Sequence, residues 1–170
     1  VQVAEQIADY LREGAITNSI NSPSISAAEA PLLKPWVKVS DVLGGFIGQV
    51  IETGLKEINI EYVGSVGELN TRPLTCSIVA SILNPIVGLG SVNLVSSLIF
   101  ARERGILISE IKKDSQGAFG SYIRIVVKTE RAIRSTAGTV YSDGKPRFIQ
   151  INGIDMDIMP QKFMLYTSNL

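Results

Sequence analysis

The chain has 170 residues, 16 basic and 16 acidic, enough to bury one substantial core and too balanced in charge to carry the electrostatic footprint of a nucleic-acid or polyanion binder. It has no histidine, which removes Ser-His and Cys-His nucleophile pairs, imidazole acid-base chemistry and His-containing metal sites. Its single cysteine, Cys76, lies in the apolar run LTCSIVASIL, so an internal disulfide and a thiolate zinc site are both excluded, and a reducing, cytoplasmic setting is expected.

Val1–Glu13 places Val3, Ile7, Tyr10 and Leu11 at helical spacing, with Gly14 where a C-terminal cap belongs. This helix starts without a cap, and its acidic residues Glu5, Asp9 and Glu13 stand where a secretory signal would be basic. Ala15–Ser26, rich in Ser and Asn, reads as an extended connector and a domain boundary. Pro35 is expected in the first turn of a long helix whose stripe of Val39, Val42, Leu43, Phe46, Ile47, Val50 and Ile51 ends at Gly54. Ile58–Val63 alternates as a strand, and Gly64 and Gly67 mark the turn after it. Thr71 is the expected cap of a second helix, with Pro73 in its first turn and Asn84-Pro85 at its end. Ser96–Arg104 gives a third short helix stopped by Gly105.

From Ile106 the period changes to two. Ile123, Ile125 and Val127 alternate with Tyr122, Arg124, Val126 and Lys128, one face apolar and the other mixed, which suits contact with another subunit as well as with water. Gly105–Lys113, Phe119–Glu130, Ala132–Tyr141, Arg147–Ile151 and Phe163–Thr167 are the expected strands. The pattern predicts an α+β domain, helices packed on one face of a mainly antiparallel sheet, preceded by an orphan N-terminal helix. No apolar run reaches membrane-spanning length.

The stretch Tyr141–Ile158, YSDGKPRFIQINGIDMDI, carries the candidate site. Asp143-Gly144 favours a two-residue type I′ hairpin, and Asn152-Gly153 is a second turn signal. Lys145 and Arg147 between them either hold an anion or decorate the hairpin. Asp155 and Asp157 alternate onto one face of the last strand, where a solvated polar face is favoured over a catalytic carboxylate pair. Gly88-Leu89-Gly90 lacks the third glycine and the acidic residue of a dinucleotide fingerprint, and Gly44-Gly45 within an apolar stripe suits close helix packing better than phosphate cradling. Arg102 and Arg104 complement a helix dipole and need no ligand.

VAEQIADYLREGAITNSIN, SPSISAAEAPLLKPWVKVSDVLGGFIGQV, ELNTRPLT, ARERGILISE, STAGTVYSDGKPRFIQINGIDMDI and MLYTSN together resemble bacterial long-form D-3-phosphoglycerate dehydrogenases. The resemblance implies that residues 1–20 are a helix and exit strand of the catalytic part, and that 21–170 form the intervening, or allosteric substrate binding, domain. A related domain occurs in L-serine dehydratases. Catalysis in the resembled family uses NAD, a glycine fingerprint, an arginine and a histidine–glutamate pair, none matched here, so no cofactor and no turnover are expected of this chain. Such a domain would serve regulation and homo-oligomer assembly, with no nucleic acid and no membrane among its partners. In some relatives it holds a phosphate-bearing or carboxylate ligand, as 3-phosphoglycerate would be, through a basic residue before IQING and further basic residues and a histidine after it. Arg147 matches the first, with Lys145 nearby, while Ile154, Asp155 and Met159 stand at the later positions.

Overall fold

The computed structural model describes residues 2–13, 25–26, 28–52, 54–115 and 118–167. Its elements in chain order are α1 (Gln2–Glu13), α2 (Ala30–Val50), β1 (Leu55–Gly64), a 3₁₀ turn (Ser65–Glu68), α3 (Arg72–Val87), α4 (Ser97–Glu103), β2 (Leu107–Lys113), β3 (Ser121–Thr129), β4 (Ile133–Val140), β5 (Pro146–Ile151) and β6 (Ile154–Ile158). Most of the expected connector Ala15–Ser26 lies outside the described residues. On α1, Ile7, Tyr10 and Leu11 are all exposed, so these three apolar side chains are uncovered.

The α2 helix begins earlier than its proline spacing suggests. Ser26 and Glu29 form a capping box: the Glu29 carboxylate accepts from the Ser26 hydroxyl (2.7 Å) and amide (3.2 Å), and the Glu29 amide donates back to Ser26 Oγ (3.3 Å). Those bonds hold the Glu29 carboxyl below its ordinary pKa, the Ser26 hydroxyl contributing most. Pro31 then takes the first-turn position and Pro35 lies inside the helix, where its missing N–H forgoes one ladder bond. The α3 helix likewise runs past Asn84-Pro85 to Val87. Asn84 instead pins the following loop, its Nδ2 donating to the Val92 carbonyl (2.8 Å) and its Oδ1 accepting from the Val92 amide (3.1 Å). Thr71 sits at the N-cap position but makes no side-chain cap bond; its hydroxyl donates to Glu110 (3.4 Å), and Asn70 Oδ1 accepts from the Arg72 amide (3.3 Å) in its place.

The six strands form one mixed sheet in the order β2-β1-β3-β4-β5-β6. Every neighbouring pair is antiparallel except β1 with β2, which the α3–α4 crossover makes parallel. Alternation decides the faces. Ile58, Ile60 and Tyr62 of β1 and Ile123, Ile125 and Val127 of β3 are fully buried beneath Leu33, Val39, Leu43 and Ile47 of α2 and Leu74, Ile78 and Ile82 of α3. Each such aliphatic side chain contributes about 1.5–3 kcal/mol on leaving water. Tyr62 brings a hydroxyl into this core and satisfies it on Thr75 Oγ1 (2.8 Å), which passes its own proton to the Thr71 carbonyl (3.2 Å). Cys76 is buried there too, and burial pushes its thiol pKa up, as for an inert core cysteine.

The two long helices meet backbone to backbone. A Cβ on Gly44 would stand 2.8 Å from the Ile78 carbonyl oxygen, and one on Gly48 would stand 2.4 Å from that of Ile82. Glycines four residues apart thus open a notch on α2 for the α3 main chain. Gly45, one position round the helix, has nothing within 4 Å of the same imagined atom. Asp41 adds a polar tie across the contact, accepting from the Ser77 and Ser81 hydroxyls of α3.

Strand assignments near the C-terminus shift from expectation. Phe163–Thr167 forms no strand: the segment leaves the sheet after β6, and Tyr166 stacks edge-on against Phe46 of α2 at 5.6 Å. The expected type I′ geometry at Asp143-Gly144 is also absent. Only Gly144 has a positive φ there (70°), and the Gly144 amide donates to the Tyr141 carbonyl (2.8 Å), closing a turn that runs through Ser142 and Asp143 before the left-handed glycine. Such a three-residue loop lets Asp143 keep ordinary backbone angles and use its side chain as a cap, accepting from the Lys145 amide (2.9 Å). The pair with both φ values positive is Asn152 (49°) and Gly153 (81°), joining β5 to β6.

Candidate functional site

On β1, β3, β5 and β6 the sheet face turned away from the helices carries the charged residues Glu61, Arg124, Arg147, Asp155 and Asp157. At its β4–β5–β6 end, Arg147 lies on β5 with its side chain only 16% exposed. Its guanidinium faces Asp143 (Nη2 to Oδ2, 3.4 Å) and Asp157 (Nε to Oδ1, 3.8 Å), donates to the Pro146 carbonyl (3.2 Å), and lies 5.0 Å from the Tyr141 ring centroid. Tyr141 closes the circuit by donating its hydroxyl to Asp157 Oδ2 (2.8 Å). The Lys145 amide bond, then the charges of Arg147 and Lys145, hold the Asp143 carboxyl below its usual pKa, and the Asp157 bond pushes the Tyr141 phenol up. The expected cations therefore differ in state. Arg147 is occupied by two carboxylates, Asp143 of the β4–β5 turn and Asp157 of β6, whereas Lys145 is exposed and forms no side-chain hydrogen bond or ion pair among the described residues, its charge acting on the nearby Asp143.

Asp155 and Asp157 are separated in role although they share β6. Asp155 accepts from Gln150 Nε2 (2.8 Å), its cross-strand neighbour, and Asp157 binds Tyr141 and Arg147. Each carboxylate is satisfied within the sheet. Among the described residues no group of three or more Cys, Asp or Glu side chains is placed to hold a metal ion.

Register carries a polar row across the same face: Glu61 opposite Arg124, Arg124 opposite Ala137, Ala137 opposite Gln150 and Gln150 opposite Asp155. The small Ala137 leaves a hollow of about 680 Å³ walled by Tyr122, Arg124, Gln150 and Asp155, with Phe119 at its rim. Arg124 reaches Glu61 at 3.7 Å, and its buried Nε has no hydrogen-bond partner. Sequence reasoning placed Tyr122 and Arg124 on a mixed face without combining them with Gln150. That combination depends on a bulge between Ala137 and Gly138 in the β4–β5 pairing, which alternation within a strand does not reveal. On the helix side lies a second concavity of about 740 Å³, between α2 (Gly45, Phe46, Gln49), β6 (Ile154, Met156) and the segment reaching Tyr166.

Residues 32–152 match the family described as the D-3-phosphoglycerate dehydrogenase intervening domain. The chain belongs to that family. Curated relatives that it resembles include several D-3-phosphoglycerate dehydrogenases. That of Bacillus subtilis is 26% identical over 97% of this chain and 31% of the relative. That of Methanocaldococcus jannaschii is 27% identical over 94% and 30%, and that of Synechocystis 26% over 98% and 30%. The chain thus spans about 30% of the length of these relatives, which include bacterial and archaeal proteins. The matched span runs from the first turn of α2 to the Asn152 turn, so β1–β5, α3, nearly all of α2 and Arg147 are intervening-domain structure, and β6 with Asp157 follows it. The α1 helix lies before it.

Proposed function

We propose that this chain is the intervening domain of a bacterial long-form D-3-phosphoglycerate dehydrogenase, a cytoplasmic enzyme that oxidises 3-phosphoglycerate to 3-phosphohydroxypyruvate with NAD in serine synthesis. The domain itself serves regulation and subunit assembly, and the redox chemistry belongs to other parts of the protein. The family match over 32–152, within relatives about three times as long, carries this reading. The environments of Asp155 and Asp157 support it, since Asp155 is engaged by Gln150 across the β5–β6 hairpin and Asp157 by Arg147 of β5 and Tyr141. The test is a chimera in which this chain replaces the matching third of the Bacillus subtilis enzyme. NADH formation from 3-phosphoglycerate by the assembled chimera, with none from the isolated chain, is the expected result. A chimera that is soluble and assembled but inert would overturn the reading.

A second reading, a domain that senses a phosphate or 3-phosphoglycerate-like anion, draws support from the exposed side chain of Lys145, which forms no ion pair among the described residues, and the unpaired Nε of Arg124. Against it stand Asp143 and Asp157, with which any anion at Arg147 must compete. Calorimetric titration with phosphate and 3-phosphoglycerate at low salt decides the matter. Saturable heat that vanishes in Arg147→Ala establishes an anion site, and its absence in both proteins leaves the basic pair as hairpin structure.

A further inference from the structure

We propose that the free edge of β2 pairs antiparallel with β2 of a second copy of this chain, continuing the sheet across a two-fold axis at Ile111. This rests on the assembly reading above and names its surface. As the terminal strand, β2 has no backbone partner on its outer side among the described residues, and its pairing with β1 runs from Leu107 to Lys113 without a bulge. Edges of this kind template a further strand unless proline, a bulge or misplaced charge blunts them. Proline and bulge are absent from LISEIKK, so its charges decide.

Two-fold antiparallel pairing sets one residue opposite itself and each neighbour opposite its mirror position. Centred on Glu110, it would oppose two carboxylates. Centred on Ser109, it would set Ile108 against Glu110. Centred on Ile111, it sets Glu110 opposite Lys112 of the second copy, twice by symmetry, with Ile111 against Ile111 on the other face and Ser109 against Lys113. That register alone pairs opposite charges and covers an exposed isoleucine. Both ions are available for it. Lys112 is exposed and has no ion pair among the described residues, and Glu110 accepts only the long 3.4 Å bond from Thr71. Lys113, by contrast, is already drawn to Glu61 at 3.0 Å.

The opposite edge of the sheet reads the other way. On β6, centring a self-pair on Asp155, Met156 or Asp157 brings an aspartate against an aspartate. The three central registers of β6 thus oppose like charges, whereas β2 offers one register that pairs opposite charges and covers Ile111.

Sedimentation equilibrium of the 170-residue chain tests the pairing. The expected result is a concentration-dependent dimer whose Kd rises by on the order of tenfold in Glu110→Lys and in Lys112→Glu, since each turns two attractive cross-strand pairs into repulsive ones. The double exchange Glu110→Lys with Lys112→Glu restores the parent Kd, an outcome that general loss of folding cannot mimic. A dimer indifferent to both single reversals would overturn the β2 pairing and leave the assembly reading standing. A monomer at all concentrations would overturn both.

Discussion

Alanine at Gly48 and at Gly45 should move stability in opposite directions, although the two glycines lie in the same helix three residues apart. At Gly48 the new methyl would stand 2.4 Å from the Ile82 carbonyl oxygen and 3.0 Å from the Ile82 carbonyl carbon, against an ordinary contact of 3.4–4 Å. Main-chain atoms cannot swing aside, so α2 and α3 must part by about 1 Å along a seam that buries Leu43, Ile47, Ile78 and Ile82. Overpacking of this kind costs about 1–3 kcal/mol, and the gain in helix propensity from Gly to Ala returns only about 0.5–1. The net expectation is a loss of about 1–2 kcal/mol. Gly45 receives the same propensity gain with nothing in the way, a stabilisation of about 0.5–1 kcal/mol. Urea unfolding followed by far-UV circular dichroism and by fluorescence of Trp36, the single tryptophan, measures both. The midpoints should move apart with the slope unchanged. A Gly48→Ala midpoint that rises with that of Gly45→Ala would refute the close approach of the helices.

Tyr62→Phe removes the donor to Thr75 and should cost about 1 kcal/mol with the fold intact, read as a shift in the same midpoint. Asn152→Ala must hold a positive φ without the side-chain bond to the Ser135 amide (2.9 Å), so a loss of about 2 kcal/mol is expected, and an unchanged midpoint would contradict the turn assignment. The pH dependence of the Arg147 hairpin follows from Asp143. Its carboxyl is depressed below 3.8, so the stabilisation it contributes is fully present above that value and is lost as pH falls through the folded-state value beneath it. The stability gap between the parent chain and Asp143→Asn should therefore be flat near neutrality and close in acid. A gap that widens in acid would reverse the sign of the argument.

The faces of the sheet were legible because Ile123, Ile125 and Val127 alternate strictly, and burial follows that alternation. The α2 stripe was legible for the same reason, being a periodic signal read over many turns, but of the pair Gly44-Gly45 expected at a close helix contact only Gly44 meets α3, and its partner in the notch is Gly48. Ends were harder. The S-x-x-E pattern at Ser26–Glu29 announced where α2 starts, yet Pro35 drew the boundary five residues late because proline suits a first turn and the helix tolerates it further in. The two-residue geometry expected at Asp143-Gly144 is found at Asn152-Gly153, since Asp-Gly serves a three-residue loop as readily as a two-residue one and only the strand register chooses between them. Parallel pairing of β1 with β2 left no mark on either strand, because period two is common to both senses of pairing. The state of Arg147 was the least legible feature of the site. Nothing in its own neighbourhood of sequence shows that Asp157, ten residues on, returns to its side.

The notch at Gly44 and Gly48 also governs how a push on one side of the domain would be felt on the other. With main chain seated against main chain, α2 cannot slide or roll without lifting α3 along with it, so the pair behaves as a single lever. One flank of that lever, at Gly45, Phe46 and Gln49, borders the cleft beside β6. Its far end, at Thr71, is hydrogen-bonded to Glu110 on the opposite margin of the sheet. The cleft beside β6 and the edge strand β2 thus lie at opposite margins of the sheet, and the α2–α3 seam is the packed structure that runs between them.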